Sequence, residues 1–490
     1  MNSSANASTM QVSSRRAARG TLQLMIGRMS FFALGYVVTV IIARELGPAE
    51  YGLYGIILSV LVWVEQIGRF GIPEASAKLM PEDEARASTI ENTGQTLMII
   101  IFLVLFGAFS AAASWLAALF GIPETAHLFR LAMIDIPVSA FFFAYQGILL
   151  GRRNFGVVGG GLVAYALAKL VGILIAVSIG LSIVGALIVN IAGTLGAVLY
   201  MATHISPTSF RPSLRQVDAV VRLAFPVGLY LLMLQILWNL DLWSLKIIGT
   251  NQDETVGLYV AALNVARMPA LAFAVINGVI LPSLSMALSR QDLALARRYV
   301  QGAGRFLCVT LLPSCLLLAI TAEELMLFLY SSRYADGAQL LSLQVLAFGL
   351  FGFAQVFSEM LVARGNAYLA ALAQLVHIPV ALLLNYMLIS TWGAIGAATA
   401  LVLTAGLMAL ITGLLVWQRF GTPIEVDTVS KVLLATALVA VVATQVPAEG
   451  TWLLVEYLFL LGLYILSLVI LRELTWDDFQ IFALWRREQV

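Results

Sequence analysis

Two cysteines and three histidines among 490 residues leave little for metal or disulfide chemistry. Cys308 and Cys315 stand at i and i+7 in one apolar run, about 10 Å apart along a helix axis, out of reach of a mutual disulfide. A packing role is expected for both. His127, His204 and His377 are scattered, no Cys/His run has metal-ligand spacing, and no Walker loop is present, so a metal cluster and ATP hydrolysis are excluded at the level of motifs. Charge is scarce as well: 11% of residues are charged, where a soluble domain carries about a quarter. The formal net charge of +1 gives no reason to expect nucleic acid as a partner. Long loops are also missing. Membrane glycosyltransferases and polymerases place paired carboxylates or a histidine on a sizeable outer loop, and this chain has none, so no catalytic role and no cofactor are expected.

Apolar sequence fills the space. Hydrophobic residues make up 61% of the chain and the mean hydropathy is +0.94. Apolar runs of about 18 to 25 residues recur between short polar connections, the length an α-helix needs to cross a hydrocarbon core of roughly 30 Å; the short alternating segments of a transmembrane barrel are absent. About fourteen spans are expected, at 21–43, 53–71, 93–119, 128–151, 156–179, 183–203, 220–248, 258–281, 304–322, 339–362, 369–389, 394–416, 431–446 and 452–471. Arg15, Arg16 and Arg19 precede a first run too long for a signal peptide, so it reads as an uncleaved helix. With the N-terminus inside, most Lys and Arg fall in cytoplasmic segments, and only Arg44, Arg130 and Arg333 fall outside. That bias predicts both termini in the cytoplasm.

The stretch Gly20 to Tyr54 sets the pattern for the chain. An apolar span ends in Arg44-Glu45-Leu46-Gly47-Pro48-Ala49-Glu50-Tyr51-Gly52, a tight connection leading to Leu53-Tyr54. The same outline returns at Ile247 to Tyr259, about 205 residues on, where Gly257-Leu258-Tyr259 repeats Gly52-Leu53-Tyr54. Ile148 to Asn154 matches Met360 to Asn366, and Ile183-Val184-Gly185-Ala186 matches Ala394-Ile395-Gly396-Ala397. An even number of spans per copy makes the copies parallel. The expected fold is an all-α polytopic membrane protein: two parallel lobes of about six helices around a central cavity, plus two C-terminal helices. The boundaries are a cytoplasmic N-terminal segment 1–20, an N-lobe 21–203, a cytoplasmic linker 204–219, a C-lobe 220–416, the last two spans at 431–471 and a cytoplasmic tail 472–490. Ser289 to Arg305 reads as a basic connector. In the tail, Thr475 and Asp478 form a capping-box pattern, with Trp476, Phe479, Phe482 and Trp485 offered to the headgroups.

An ionised group near the bilayer centre costs at least about 2.5 to 3.5 kcal/mol, so those retained face a cavity or a partner. Lys169 lies near the middle of its span, Arg267 about 14 Å below the outer face, and Arg28 about eight residues in from the inner face. These cations suit an anionic substrate; for Arg28 the alternative is snorkelling to inner headgroups. Asn190, Gln235, Asn239 and Asn264 are either substrate contacts or interhelical hydrogen-bond glue. Asp135 and Asp241, each about 10 Å below the outer surface, are candidates for ion coupling, though Asp241 and Arg267 could equally neutralise one another. Glu65 and Arg69, at i and i+4, are gating candidates whose simpler reading is a local ion pair. Lys246, close to a helix end, is a further candidate whose simpler reading is snorkelling.

Arg44 to Gly52, Ile67-Gly68-Arg69-Phe70-Gly71-Ile72-Pro73-Glu74-Ala75, Gly257-Leu258-Tyr259 and Ile280-Leu281-Pro282-Ser283-Leu284-Ser285, in this order and spacing, resemble the Wzx-type polysaccharide flippases. These belong to the multidrug/oligosaccharidyl-lipid/polysaccharide (MOP) exporter superfamily, with the peptidoglycan-precursor flippase MurJ as a cousin. The resemblance covers the whole chain. It implies translocation of an undecaprenyl-diphosphate-type lipid-linked glycan across the bacterial inner membrane by alternating access, for O-antigen, capsule or exopolysaccharide. It further implies driving by an H+ or Na+ gradient or the membrane potential, and glycan polymerase and chain-length proteins as partners. Arg28 and Arg267 are assigned to the diphosphate by depth and charge. The alternatives are an ion-coupled small-molecule exporter of multidrug or major-facilitator type, a membrane glycan polymerase, and a scaffold subunit of a glycan assembly complex.

Overall fold

The computed structural model describes residues 2–82, 86–205, 213–249, 253–269, 283–364, 367–445 and 450–474. Among these residues every regular element is helical. That is the outcome expected of a chain in hydrocarbon, where a helix satisfies its backbone groups internally and an open strand cannot. In order the helices are α1 (Asn2–Arg69), α2 (Ile72–Glu82), α3 (Ala87–Leu119), α4 (Ala126–Met133), α5 (Asp135–Gly151), α6 (Phe155–Ser178), α7 (Ile183–Ala202), α8 (Leu214–Leu237), α9 (Leu240–Ile248) and α10 (Asp253–Ala266). They continue with α11 (Leu293–Ile320), α12 (Ala322–Leu329), α13 (Ala338–Ala363), α14 (Ala367–Phe420), α15 (Val426–Gln445) and α16 (Trp452–Ile470). Eleven helical stretches among the described residues are long and apolar enough to cross a membrane. Two of these, Leu22–Met80 and Leu372–Phe420, are long enough to hold two expected spans each. The span expected at 258–281 is described only as far as residue 269.

Three connections differ from the sequence expectation. The segment Arg44 to Gly52 is helical on both sides of a single kink, at Gly47 (φ 73°, ψ 172°), which sits in the positive-φ region that glycine occupies at no steric cost. The expected basic connector Ser289 to Arg305 is helical from Leu293 onward, so α11 carries Arg297 and Arg298 on its first turns. The spans expected at 128–151 and 220–248 are each broken, at Ile134 between α4 and α5 and at Trp238–Asn239 between α8 and α9. Such breaks leave backbone carbonyls and N–H groups without intrahelical partners. The capping-box tail and Ile280-Leu281-Pro282 lie outside the described residues.

The chain forms two compact units, one built from 2–46 and 53–235, the other from 47–52 and 236–474. In the first, α5 packs on α2, α3 and α7, and α6 on α7. Arg152 ties it together at one end: its Nε and Nη2 donate to Glu91 at 3.0 and 2.7 Å, and Glu91 is 4% exposed. In the second unit α13 packs on α10, α11 and α14, α9 on α14, and α15 on α11 and α16. The repeat partner of Arg152 is Arg364, whose Nη1 donates to the Arg419 carbonyl at 3.2 Å and whose guanidinium lies over the Phe420 ring. The repeat motif Leu-x-x-Arg therefore supplies a structural arginine in each unit. Cys308 and Cys315 are buried free thiols, as their spacing requires.

The six residues Gly47–Gly52 are seated in the second unit through close backbone approach. A Cβ at Gly257 would stand 1.7 Å from the Pro48 carbonyl oxygen, and one at Gly52 would stand 2.7 Å from the Gly257 nitrogen. The two glycines of the repeated Gly-Leu-Tyr motif thus meet each other. Tyr51 completes the seat: it is 1% exposed, packs on the rings of Tyr330 and Tyr334, and its hydroxyl accepts from Asn264 Nδ2 at 2.8 Å. Gly257→Val is expected to unseat the segment, because backbone cannot yield as a side chain does. The detergent-extracted variant should lose most of its monodisperse peak in size-exclusion chromatography. A variant eluting and melting like the parent would contradict the contact.

Candidate functional site

In each unit a polar cluster forms where an expected span is interrupted. In the first unit, Asp135 is the first residue of α5, directly after the break at Ile134. The interruption is local, since Ile134 keeps helical dihedrals (φ −60°, ψ −24°), and Asp135 is 1% exposed. Its Oδ2 accepts from Asn190 Nδ2 at 3.0 Å and from Thr194 Oγ1 at 3.2 Å, both on α7. Asn190 Oδ1 in turn accepts from Lys169 Nζ on α6 at 2.8 Å and from the Tyr165 hydroxyl at 3.4 Å. Lys169 Nζ also lies 5.5 Å from the centre of the Tyr165 ring. Charge of both signs is therefore linked through one amide: an ammonium on α6, a carboxylate on α5, and Asn190 between them. Asp135 Oδ1 is buried without a hydrogen-bond partner. Ser139, one turn along α5, donates to Glu65 Oε1 at 2.5 Å.

In the second unit the break between α8 and α9 exposes the Trp238 carbonyl. Arg267 uses it: Nη2 donates to that oxygen at 2.6 Å and to Asn239 Oδ1 at 3.3 Å. The guanidinium lies against an edge-to-face pair of rings, 5.9 Å from the centre of Trp238 and 5.5 Å from that of Phe348. Asp241, in the first turn of α9 and 1% exposed, accepts instead from the Tyr259 hydroxyl. No carboxylate lies within 4 Å of Arg267 among the described residues. A planar cation held by neutral groups and aromatic faces keeps its donors available to an anion.

These positions revise several expectations. Asp241 and Arg267 make no direct ion pair, since Tyr259 from α10 donates to the carboxylate, but each lies in the other's field. Glu65 and Arg69 are not a local pair: the turn at Gly71 (φ 75°) brings the first turn of α2 back to the end of α1, so Arg69 Nη2 donates to Glu74 at 3.2 Å. Arg69 also covers the Phe143 ring at 4.8 Å. Lys246 does not snorkel; it is 5% exposed and forms an ion pair with Asp253, at the start of the next helix. Arg28 is exposed and has no hydrogen bond or ion pair with a described residue. Asn190 is interhelical glue of an ionic kind, and Asn264 is held by Tyr51. Gln235 is half-buried near the end of α8. Of the partners, Tyr259 belongs to the repeated Gly-Leu-Tyr motif and Ser139 and Thr194 follow Asp135 and Asn190 by one helical turn; Tyr165, Trp238 and Phe348 carry no sequence signal of their own.

A family model described as polysaccharide biosynthesis protein matches residues 17–288, more than half of the chain. The chain is 24% identical over 349 residues to the succinoglycan biosynthesis transport protein ExoT of Rhizobium meliloti (strain 1021), covering 70% of this chain and 68% of that one. It is 23% identical over 454 residues to stage V sporulation protein B of Bacillus subtilis (strain 168), covering 85% and 84%. Its fold is similar to that of the lipid II flippase MurJ in an inward closed conformation, with a TM-score of 0.77 at 16% identity over 92% of this chain and 99% of that one. It is also similar to an inward-facing multidrug resistance MATE family transporter of the MOP superfamily, with a TM-score of 0.69 at 16% identity over 82% and 98%. By its sequence, this chain belongs to the polysaccharide biosynthesis protein family, and its multi-pass helical fold is similar to the folds of these two solved structures.

Proposed function

We propose that this protein is a flippase that carries a polyprenyl-diphosphate-linked oligosaccharide from the cytoplasmic to the outer leaflet of the bacterial inner membrane, by alternating access. The observation that carries the reading is Arg267: a membrane-embedded guanidinium cradled by a carbonyl and two rings, with no carboxylate in direct ion-pair contact. Retaining such a charge in hydrocarbon is costly unless something anionic uses it, and a diphosphate presents oxygens that match its fork. Family membership and the relative named as a succinoglycan biosynthesis transport protein support a glycan as the remainder of the cargo. Lys169 is a second contact in this reading, and Arg28, exposed on α1, is a first point of attraction. Asp135 and Asp241, each at the start of a restarted helix, are the groups through which an H+ or Na+ gradient would act. Both termini are placed in the cytoplasm.

The test is a strain lacking this protein, from which lipid-linked sugars are extracted. A complete repeat unit on its polyprenyl diphosphate should accumulate, shielded from externally added glycosidase, while surface glycan disappears. Intact surface glycan with no accumulated intermediate would overturn the reading in favour of a small-molecule exporter.

A further inference from the structure

The second unit has a charged cavity of about 400 Å³ that shares no lining residue with the Arg267 cluster, where the first half of α11, the start of α15 and the end of α16 converge. Its wall includes Gln301, Arg305, Glu425, Asp427, Arg472 and Glu473. Most of these charges are satisfied internally. Glu473, 5% exposed, accepts from Arg305 Nε at 2.8 Å and from Thr428 Oγ1 at 3.0 Å, and lies 3.7 Å from Lys431, which also pairs with Asp427 at 2.5 Å. That network balances two cations against two carboxylates. Left over are Arg472 and Glu425, both exposed, neither bonded to a described residue, and not within ion-pair distance of each other. One cavity thus offers an unsatisfied cation and an unsatisfied anion, set apart.

A second, independent observation concerns Arg472. It caps α16 with φ 54°, in the left-handed region. Its N–H donates to the Val469 carbonyl at 3.1 Å and that of Glu473 to Leu468 at 2.8 Å, the pairing of a Schellman cap whose αL position glycine normally fills. An arginine there is strained by about 1 kcal/mol relative to glycine; Arg153 and Gln291 cap their helices in the same way, so the cap fixes where the Arg472 side chain starts and does not by itself indicate a ligand. The level is that of a membrane surface: Val426 and Ile470, beside the cavity at the ends of two spans, are 83% and 70% exposed.

We infer that this cavity holds the headgroup of a zwitterionic phospholipid, its phosphate on Arg472 and its primary ammonium on Glu425. An anion alone would leave Glu425 unsatisfied and meet its repulsion; a zwitterion answers both charges and spans the gap between them. The acyl chains would follow the apolar faces at Val426 and Ile470. The bound lipid joins α11 to α15 and α16, the two helices that lie outside the internal repeat. The inference does not depend on the cargo proposed above.

Native mass spectrometry of the detergent-solubilised protein tests it, with dioleoyl phosphatidylethanolamine, dioleoyl phosphatidylglycerol and glycerophosphoethanolamine each added alone. Phosphatidylethanolamine should give a retained adduct, reduced about tenfold in Glu425→Gln and in Arg472→Gly, as expected for loss of one charge-assisted contact. Arg472→Gly removes backbone strain, so its lipid-free melting temperature should equal or exceed that of the parent, which separates lost binding from lost folding. Three results would overturn the inference: equal retention of phosphatidylglycerol, which would mean a simple anion site; equal binding of glycerophosphoethanolamine, which would mean a soluble ligand; and a phosphatidylethanolamine adduct unchanged in both variants.

Discussion

Replacing Arg267 by glutamine is expected to remove surface glycan almost entirely while leaving the protein at normal abundance in the membrane. The guanidinium donates to the Trp238 carbonyl and Asn239, and has no carboxylate within 4 Å. Its loss breaks no direct ion pair but removes a cation whose field acts on the buried Asp241, so the stability change should stay within about 1 to 2 kcal/mol, the scale of one or two hydrogen bonds. Transport is different. A charge-assisted contact to phosphate contributes about 1.5 to 3 kcal/mol, and a bidentate one more, so the flipping rate should fall at least about 100-fold. Arg267→Lys keeps the charge but not the planar fork that stacks on Trp238 and Phe348, and should be intermediate. Surface glycan staining, membrane immunoblots and the extracted lipid-linked sugars measure the three quantities together. Normal glycan in Arg267→Gln would remove the anion-binding role.

A double substitution separates pairing from function in the first unit. Lys169→Met alone leaves Asp135 buried at 1% exposure with only Asn190 and Thr194 as donors. The uncompensated charge should destabilise by about 2 to 3 kcal/mol, somewhat less than for a directly bonded buried pair, and folded protein should fall accordingly. Adding Asp135→Asn removes the orphaned charge, and most of the folded protein should return. Transport should not return with it: if Lys169 meets the diphosphate and Asp135 the coupling ion, the double variant stays below about one per cent of normal flux, the scale of losing two charged contacts. Full recovery of transport in the double variant would show that the two groups only neutralise each other. The readout is fluorescence-detected size exclusion for folding and surface glycan for flux.

Much of the architecture was legible because the bilayer imposes it. Apolar length selects helices, and the recurrence of Gly-Leu-Tyr and of Leu-x-x-Arg marks the duplication. Depth arithmetic also singled out Lys169, Arg267, Asp135 and Asp241, and the structure places the two carboxylates in the buried class and the two cations half-buried beside them. That arithmetic could not supply their partners, because a partner across helices is set by rotation and by breaks that hydropathy does not register. Neither the restart at Ile134 nor that at Trp238–Asn239 interrupts the apolar pattern, yet each positions a carboxylate at a helix start, and the second frees the carbonyl that holds Arg267. The pairing of Glu65 with Arg69, reasonable by i,i+4 spacing, was overridden by the turn at Gly71, which delivered Glu74.

By itself the sequence determined that this protein is a multi-pass helical membrane protein with an internal repeat, since hydrophobic length and recurring glycines are properties of the chain read in order. Only the tertiary structure decided which charges are spent on one another and which remain available. Asp241 went to Tyr259, Lys246 to Asp253, Lys169 to Asp135 through Asn190, and Arg267 to no carboxylate in direct contact. The physical reason is the short reach of the interaction: a hydrogen bond or ion pair is made or lost within an ångström or so, and that distance is fixed by packing between helices far apart in sequence.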